Sequence, residues 1–154
     1  MLRISLLVAF VSALLLAPSA EAVIQLDRAV SGARLGNSKS EVRTALGKPR
    51  RVINRDGLFG PTTEFRYRGG LRVVFLNGRA TLAGTTGKGD RTNRGVGVGS
   101  SERAVENKVP GVTCETFQGT RICSRGAEQP GEKGTFFFLR GGKVVRAEVA
   151  ILID

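Results

Sequence analysis

The feature that most constrains this chain is residues 35–49, LGNSKSEVRTALGKP, which read as a short helix with a hard stop. Ser38 stands three residues before Glu41, the spacing of a capping box. The hydroxyl can accept the backbone N–H of Glu41, and the carboxylate can accept the N–H of Ser38. Val42, Ala45 and Leu46 then form one apolar stripe. Gly47 suits the left-handed position after the last turn, and Pro49 cannot continue the helix. A helix of about two to three turns is marginal alone in water, so this one must pack on something.

The chain echoes the stretch. A shift of 63 carries Gly36, Ser38, Val42 and Leu46 onto Gly99, Ser101, Val105 and Val109. The same shift carries residues 73–78, VVFLNG, onto residues 136–141, FFFLRG. One offset that aligns both a helix and a hairpin predicts two copies of one unit. The second helix is expected over residues 101–109, stopped by Pro110 and Gly111.

The first 22 residues have the pattern of a secretory signal. Arg3 supplies the positive start, residues 4–16 the apolar core, and Ala20, Glu21 and Ala22 the cleavage site. That core is too short for a stable membrane anchor, so no transmembrane segment is expected in the mature form. An exported chain is expected, secreted or associated with the cell envelope. Its two cysteines fit that compartment. Cys114 and Cys123 lie symmetrically about Gln118 and Gly119, a candidate two-residue turn, and the register places them opposite each other in a close pair. A disulfide follows, worth on the order of 2–3 kcal/mol by loop closure.

Strand signals fill the spaces between the helices. Residues 63–68, 71–76 and 79–83 alternate, with a strong type I′ turn at Asn77 and Gly78. Residues 50–61 read as a polar loop. A three-residue loop at residues 68–70 pairs Phe65 with Val73 and gives a buried face of Phe65, Tyr67, Leu71, Val73, Phe75, Ala80 and Leu82. The other face then carries Arg66, Arg72, Val74, Leu76 and Arg79. Arg66 and Arg72 stand directly opposite, an arrangement that is destabilising unless an anion meets them. In the second copy, a turn at Gly141 and Gly142 pairs Phe138 with Val145 and leaves Phe137, Leu139 and Arg146 on the outer face. A Gly- and Thr-rich linker, residues 84–99, places the unit boundary near Asp90. The expected organisation is a signal peptide at 1–22, a first helix and three-strand repeat at 23–90, and a second repeat with the disulfide hairpin at 91–154. The fold class is α+β: two tandem helix-plus-antiparallel-sheet units, with short helices packed on one face of the sheet.

Charge and chemistry narrow the function. The formal net charge is +11, and the chain contains no His. Residues 23–94 hold 15 Lys or Arg against 5 acids, while residues 95–154 hold 8 against 7. The excess in the first half implies an anionic partner. The acids are scattered, and only Glu102 and Glu106 share a helix face. No nucleophile elbow or phosphate loop with its lysine is present. We therefore expect no enzyme, no catalytic residue, no metal site and no cofactor. Nucleic acid is not an expected partner, because the aromatics beside the arginines are assigned to the core and leave no stacking platform.

The motif L-G-x-S-x-x-E-V-x-x-x-L-G-x-P, with the alternating Tyr strand and V-x-F-x-N-G hairpin after it, resembles the SmpA/OmlA-like superfamily. That group holds small outer-membrane assembly lipoproteins and the beta-lactamase inhibitory proteins. Tandem copies, a signal without a lipobox and a disulfide are more similar to the inhibitory-protein side. The resemblance implies a sheet with helices on one face and a protein-binding surface on the other. The expected function is a secreted, non-enzymatic binding module that docks a protein or an anionic envelope component through its exposed sheet face. The alternative is a structural envelope protein retained electrostatically on anionic wall polymer or lipid. Intact mass with and without reductant checks the disulfide: the expected result is a gain of two hydrogens on reduction and no reactive thiol before it.

Overall fold

The computed structural model describes residues 23–153, so the signal segment and its cleavage site lie outside the described residues. The described chain opens with a small antiparallel meander, β1 (Ile24–Gln25), β2 (Ala29–Val30) and β3 (Ala33–Arg34). Then come α1 (Lys39–Leu46) and the strands β4 (Arg51–Gly57), β5 (Gly60–Arg66), β6 (Arg72–Leu76) and β7 (Arg79–Thr85). The second half runs α2 (Glu102–Lys108), β8 (Thr113–Phe117), β9 (Thr120–Gly126), β10 (Lys133–Arg140) and β11 (Lys143–Ile151). All eight later strands belong to one sheet, in the order β4-β5-β6-β7-β11-β10-β9-β8.

That order corrects the expected α+β class and its two tandem units. The described chain is dominated by strands, with a continuous eight-stranded antiparallel sheet. β7 pairs with β11 from Ala147↔Thr85 to Ala150↔Leu82, so no gap separates the halves. Two features produce the difference. Residues expected in a polar loop form β4, because Arg51, Ile53 and Arg55 alternate with Val52 and Asn54 and pair along β5. β7 also runs on through Gly84 and Thr85, at the start of the expected linker. The rest of that linker is built in: Val96 is fully buried, and Ile24 N–H donates to the Arg91 carbonyl at 3.0 Å.

The helices start as their sequences direct. Ser38 Oγ accepts from Glu41 N–H at 3.2 Å, and Glu41 Oε2 accepts from Ser38 N–H at 2.6 Å. These two hydrogen bonds, the backbone one first, hold the Glu41 carboxyl below its ordinary range. Ser101 caps α2 in the same way, accepting from Ala104 N–H at 3.2 Å. Of the predicted stripe on α1 only Val42 is fully buried; Leu46 packs at the margin and Ala45 is exposed. Val42 and Val105 share one core with Phe65, Val73, Phe75 and Phe137, so both helices cover the same face of the sheet. The Phe65 and Phe75 rings meet edge-on, 4.7 Å between centroids, and the Arg43 guanidinium lies 4.6 Å from the Phe65 centroid.

Turn chemistry fixes the hairpins. Asn77 and Gly78 have φ of 50° and 79°, and Gln118 and Gly119 have 46° and 77°, the left-handed pairs of a type I′ turn. The second turn brings Cys114 opposite Cys123, and the two are disulfide-bonded with Cα atoms 3.9 Å apart. Two bulges, absent from the predicted registers, displace the pairing on their far sides by one residue. β6 and β7 pair Phe75 with Ala80 but Val74 with Leu82, so Thr81 is the extra residue and Leu82 faces outward. β10 and β11 pair Leu139 with Val144 but Phe138 with Arg146, so Val145 is extra there.

Replacing Ser38 by Ala removes an N-cap and is expected to lower stability by about 1 kcal/mol; Ser101→Ala should do the same. Denaturant midpoints at unchanged slope check both.

Candidate functional site: the open face of the sheet

With the helices on one side, the other side of the sheet presents its alternate residues to solvent. Arg51, Arg66 and Arg72 stand side by side across β4, β5 and β6. Gly84, Glu148 and Phe136 continue that row across β7, β11 and β10. Three aligned guanidinium groups would repel one another without counter-charge. Two glutamates, each only 4% exposed, supply it from the floor of the face. Glu64 takes Arg66 Nε at 2.6 Å and Arg55 Nη1 at 3.3 Å. Glu148 takes Arg72 Nη2 at 2.5 Å and Arg146 Nε at 3.0 Å. The Arg146 guanidinium also stacks 3.8 Å above the Phe138 ring centroid.

Burial pushes the Glu64 carboxyl up, but the Arg66 hydrogen bond and the charges of Arg66, Arg72 and Arg55 outweigh it and hold the group below its ordinary range. Gly84 makes the second cluster possible. A Cβ there would lie 2.8 Å from Glu148 Cγ, so the glycine leaves the space in which Glu148 lies flat beneath Arg72. Val74, Leu76, Leu82, Phe136 and Ile122 fill the spaces between the charges and are half-buried. Toward the turns of β8–β9 and β10–β11 the face deepens into a hollow of about 560 Å³ lined by Arg121, Phe138, Arg140 and Arg146, among others.

The predicted face is therefore assembled in part. Arg66, Arg72, Val74, Leu76 and Arg146 lie on it. Arg79 does not join them: its Nη1 donates to the Gly36 carbonyl at 3.4 Å and lies 4.0 Å from Glu41, at the start of α1. Phe137 and Leu139 are core residues, 0% and 6% exposed, and Phe136 and Phe138 take the outer positions. The physical reason is the period of two: the hairpin of the second half is displaced by one residue from the offset of 63, and a one-residue slip exchanges the faces. Arg51 and Arg55 escape any reading of residues 50–61 as a loop; the alternation Arg51, Ile53, Arg55 closed by Gly57 and Gly60 is the signal that marks them.

Elsewhere, Glu102 lies beside the sulfurs of Cys114 and Cys123. Sulfurs bonded to each other are not the thiolates that ligate metals, so this grouping is a covalent staple with a neighbouring carboxylate. Arg121 holds that carboxylate with Nε–Oε1 at 2.9 Å. Among the described residues no helix is long and apolar enough to cross a membrane.

No family model matches the chain, and no curated protein matches it. Solved structures do share its fold. An extracellular protein containing a SCP domain from Bacillus anthracis superposes with a TM-score of 0.54 at 8% identity, over 76% of this chain and 44% of that one. This chain thus spans less than half of that protein. A DUF4309 family protein from Bacillus subtilis superposes with a TM-score of 0.50 at 14% identity, over 80% of this chain and 84% of that one. At these identities the likeness is one of fold.

Removing Arg72 leaves buried Glu148 with one partner, so Arg72→Gln is expected to cost about 1–3 kcal/mol. The double variant Arg72→Gln/Glu148→Gln should recover most of it, because a neutral pair needs no counter-charge. Glu64 carries the pH dependence. Its depressed folded value means its contribution is present above the ordinary glutamate range and is lost as pH falls through the folded value. Denaturation between pH 7 and 2 should accordingly show a shallower acid slope for Glu64→Gln than for wild type.

Proposed function

We propose that this is an exported, non-enzymatic binding module that docks an anionic partner through the open face of its sheet. The observation that carries the reading is the pair of arginine clusters. Arg55, Arg66, Arg72 and Arg146 keep side-chain exposures of 33–61% above glutamates that are almost fully buried. The glutamates order the guanidinium groups without neutralising them: four positive charges meet two negative ones, and Arg51 adds a fifth cation in the same row. Arginine is the residue suited to such contacts, since its planar fork pairs bidentately with carboxylate or phosphate. Aromatic and Arg residues are also the usual energetic centres of protein interfaces, and Phe136 and Phe138 stand among them.

Export is supported by the signal pattern, by the Cys114–Cys123 disulfide and by the fold shared with the extracellular Bacillus anthracis protein. The resemblance to the SmpA/OmlA-like superfamily supports the same use of the scaffold, with the uncovered sheet face as the protein-binding surface.

The test neutralises the clusters without stranding their glutamates. The variant Arg55→Gln/Glu64→Gln/Arg66→Gln, combined with Arg72→Gln/Arg146→Gln/Glu148→Gln, is compared with wild type for retention on isolated cell envelopes across a salt titration. Expected is retention weaker by about tenfold or more, equivalent to about 1.4 kcal/mol, with the folded circular-dichroism spectrum preserved. Retention unchanged in a folded variant overturns the proposal. If wild type is itself released by modest salt with no sensitivity to these positions, diffuse charge holds the protein and the envelope-retention reading replaces this one.

A further inference from the structure

A second hollow lies where α1 ends beside the loop between β5 and β6. One wall is that loop. Tyr67 N–H donates to the Leu71 carbonyl at 2.9 Å and closes it, with Gly69 and Gly70 at φ of 73° and 85°. Gly70 lies so close to Thr86 that no side chain fits between them. The other wall is the chain leaving α1. It turns at Gly47, with φ of 77°, and is held by buried Pro49 and by Arg50 N–H, which donates to the Arg66 carbonyl at 2.8 Å. The hollow between them has a volume of about 480 Å³. Leu46, Leu71 and the Tyr67 ring are its apolar part, and Lys48, Arg50 and Arg68 its polar part. Tyr67 and Leu71 pack on the core, so this hollow belongs to the helix-covered side of the sheet and not to the open face.

No acid lines the hollow. Lys48, Arg50 and Arg68 form no ion pair and no side-chain hydrogen bond among the described residues. The last carbonyls of α1 attract cations, but a helix end amounts to only about half a negative charge, so a positive excess remains. The Tyr67 hydroxyl is buried and meets no hydrogen-bond partner among the described residues. A dry hydroxyl without a partner is costly, and an anion seated among the cations offers it an acceptor. We propose that this hollow binds a small organic phosphate monoester, with Lys48, Arg50 and Arg68 on the phosphate and Leu46, Leu71 and the Tyr67 ring against the organic part. A phosphate monoester carries a charge of about −1.5 to −2 at neutral pH, which three cations match better than they match one carboxylate. Two arginines from opposite walls can each pair bidentately with its oxygens. The volume exceeds that of a bare phosphate and falls among small-molecule sites, which span about 300–1,000 Å³.

Phenyl phosphate is the probe, followed by backbone amide NMR shifts and calorimetry, with inorganic phosphate, phenol and benzoate in parallel. Phenyl phosphate is expected to bind about tenfold or more tighter than each of the other three, with shifts centred on residues 46–50 and 67–71. Arg50→Gln/Arg68→Gln changes only exposed side chains and should lose about tenfold or more in affinity with melting unchanged. Tyr67→Phe discards the unpartnered hydroxyl, so it should melt no lower than wild type while binding phenyl phosphate more weakly. The variant neutralised at the open-face clusters should bind phenyl phosphate as wild type does, so this site and envelope retention stand or fall separately. Equal affinity for phenyl phosphate and inorganic phosphate overturns the proposal, since the apolar part then recognises nothing. So does full affinity in Arg50→Gln/Arg68→Gln. Binding to phosphatidic acid vesicles through Arg50 and Arg68, with phenyl phosphate ignored, overturns it in favour of a lipid surface.

Discussion

The structure depends on the seam between β7 and β11. Four residue pairs there, from Ala147↔Thr85 to Ala150↔Leu82, are what turn two four-stranded halves into one sheet. The seam also sets the conditions for the site. Its residues on the covered face are Thr85, Ala83, Ala147 and Val149, all buried, which lets the core run without a break from Val42 to Val105. Its outer face holds Gly84 beneath Glu148. A side chain at residue 84 would displace the glutamate that Arg72 and Arg146 share, so one missing Cβ couples sheet closure to the charge arrangement above it. Arg72 comes from the first half and Glu148 from the second; the ion pair crosses the seam and holds only while the seam does.

Local features of this fold were legible because they are written in adjacent residues. The capping box at Ser38 and Glu41, the I′ turns at Asn77–Gly78 and Gln118–Gly119, and the opposition of Cys114 and Cys123 each depend on a few side chains and one stereochemical rule. What failed was counting over distance. The helix echo at 63 residues is sound as a comparison of helix starts, but the second hairpin bulges at Val145 and sits one residue out of step. A strand has no tolerance for that. Phe136 and Phe138 exchanged faces with Phe137 and Leu139, and those two of the eight expected site residues moved into the core. A run of three phenylalanines carries no alternation, so nothing within it reports which members face inward. β4 failed for a different reason: its outward positions are Arg, Ile and Arg, and an edge strand protected by charge resembles a loop when composition alone is read.

The glutamates of the open face show why arginine repulsion predicted from register does not destabilise the sheet. Glu64 and Glu148 are nearly dry, which would be costly for isolated carboxylates. Each is given two guanidinium partners, one of them at 2.6 Å or closer. The clusters therefore satisfy their own acids first and present the remaining guanidinium surface outward. Stability alone does not account for this arrangement, because apolar residues at the same positions would hold the sheet together at least as well.

The face is also polarised along the strand order, and this bears on what can fill it. Arg51, Arg55, Arg66 and Arg72 occupy β4 to β6, whereas β10 and β9 present Phe136, Phe138 and Ile122, with Arg146 as the cation laid over an aromatic ring. A uniform polyanion would engage the first half and leave the aromatic half idle against water. A partner that offers carboxylates or phosphates to one side and an apolar surface to the other uses both. Proteins commonly present such mixed surfaces, with charged rims around apolar centres. The second half of the chain, nearly balanced in charge, would then contribute contact area while the first half supplies attraction and register. A basic domain built only to be held by charge would have no reason to order its arginines on buried glutamates or to set phenylalanines beside them.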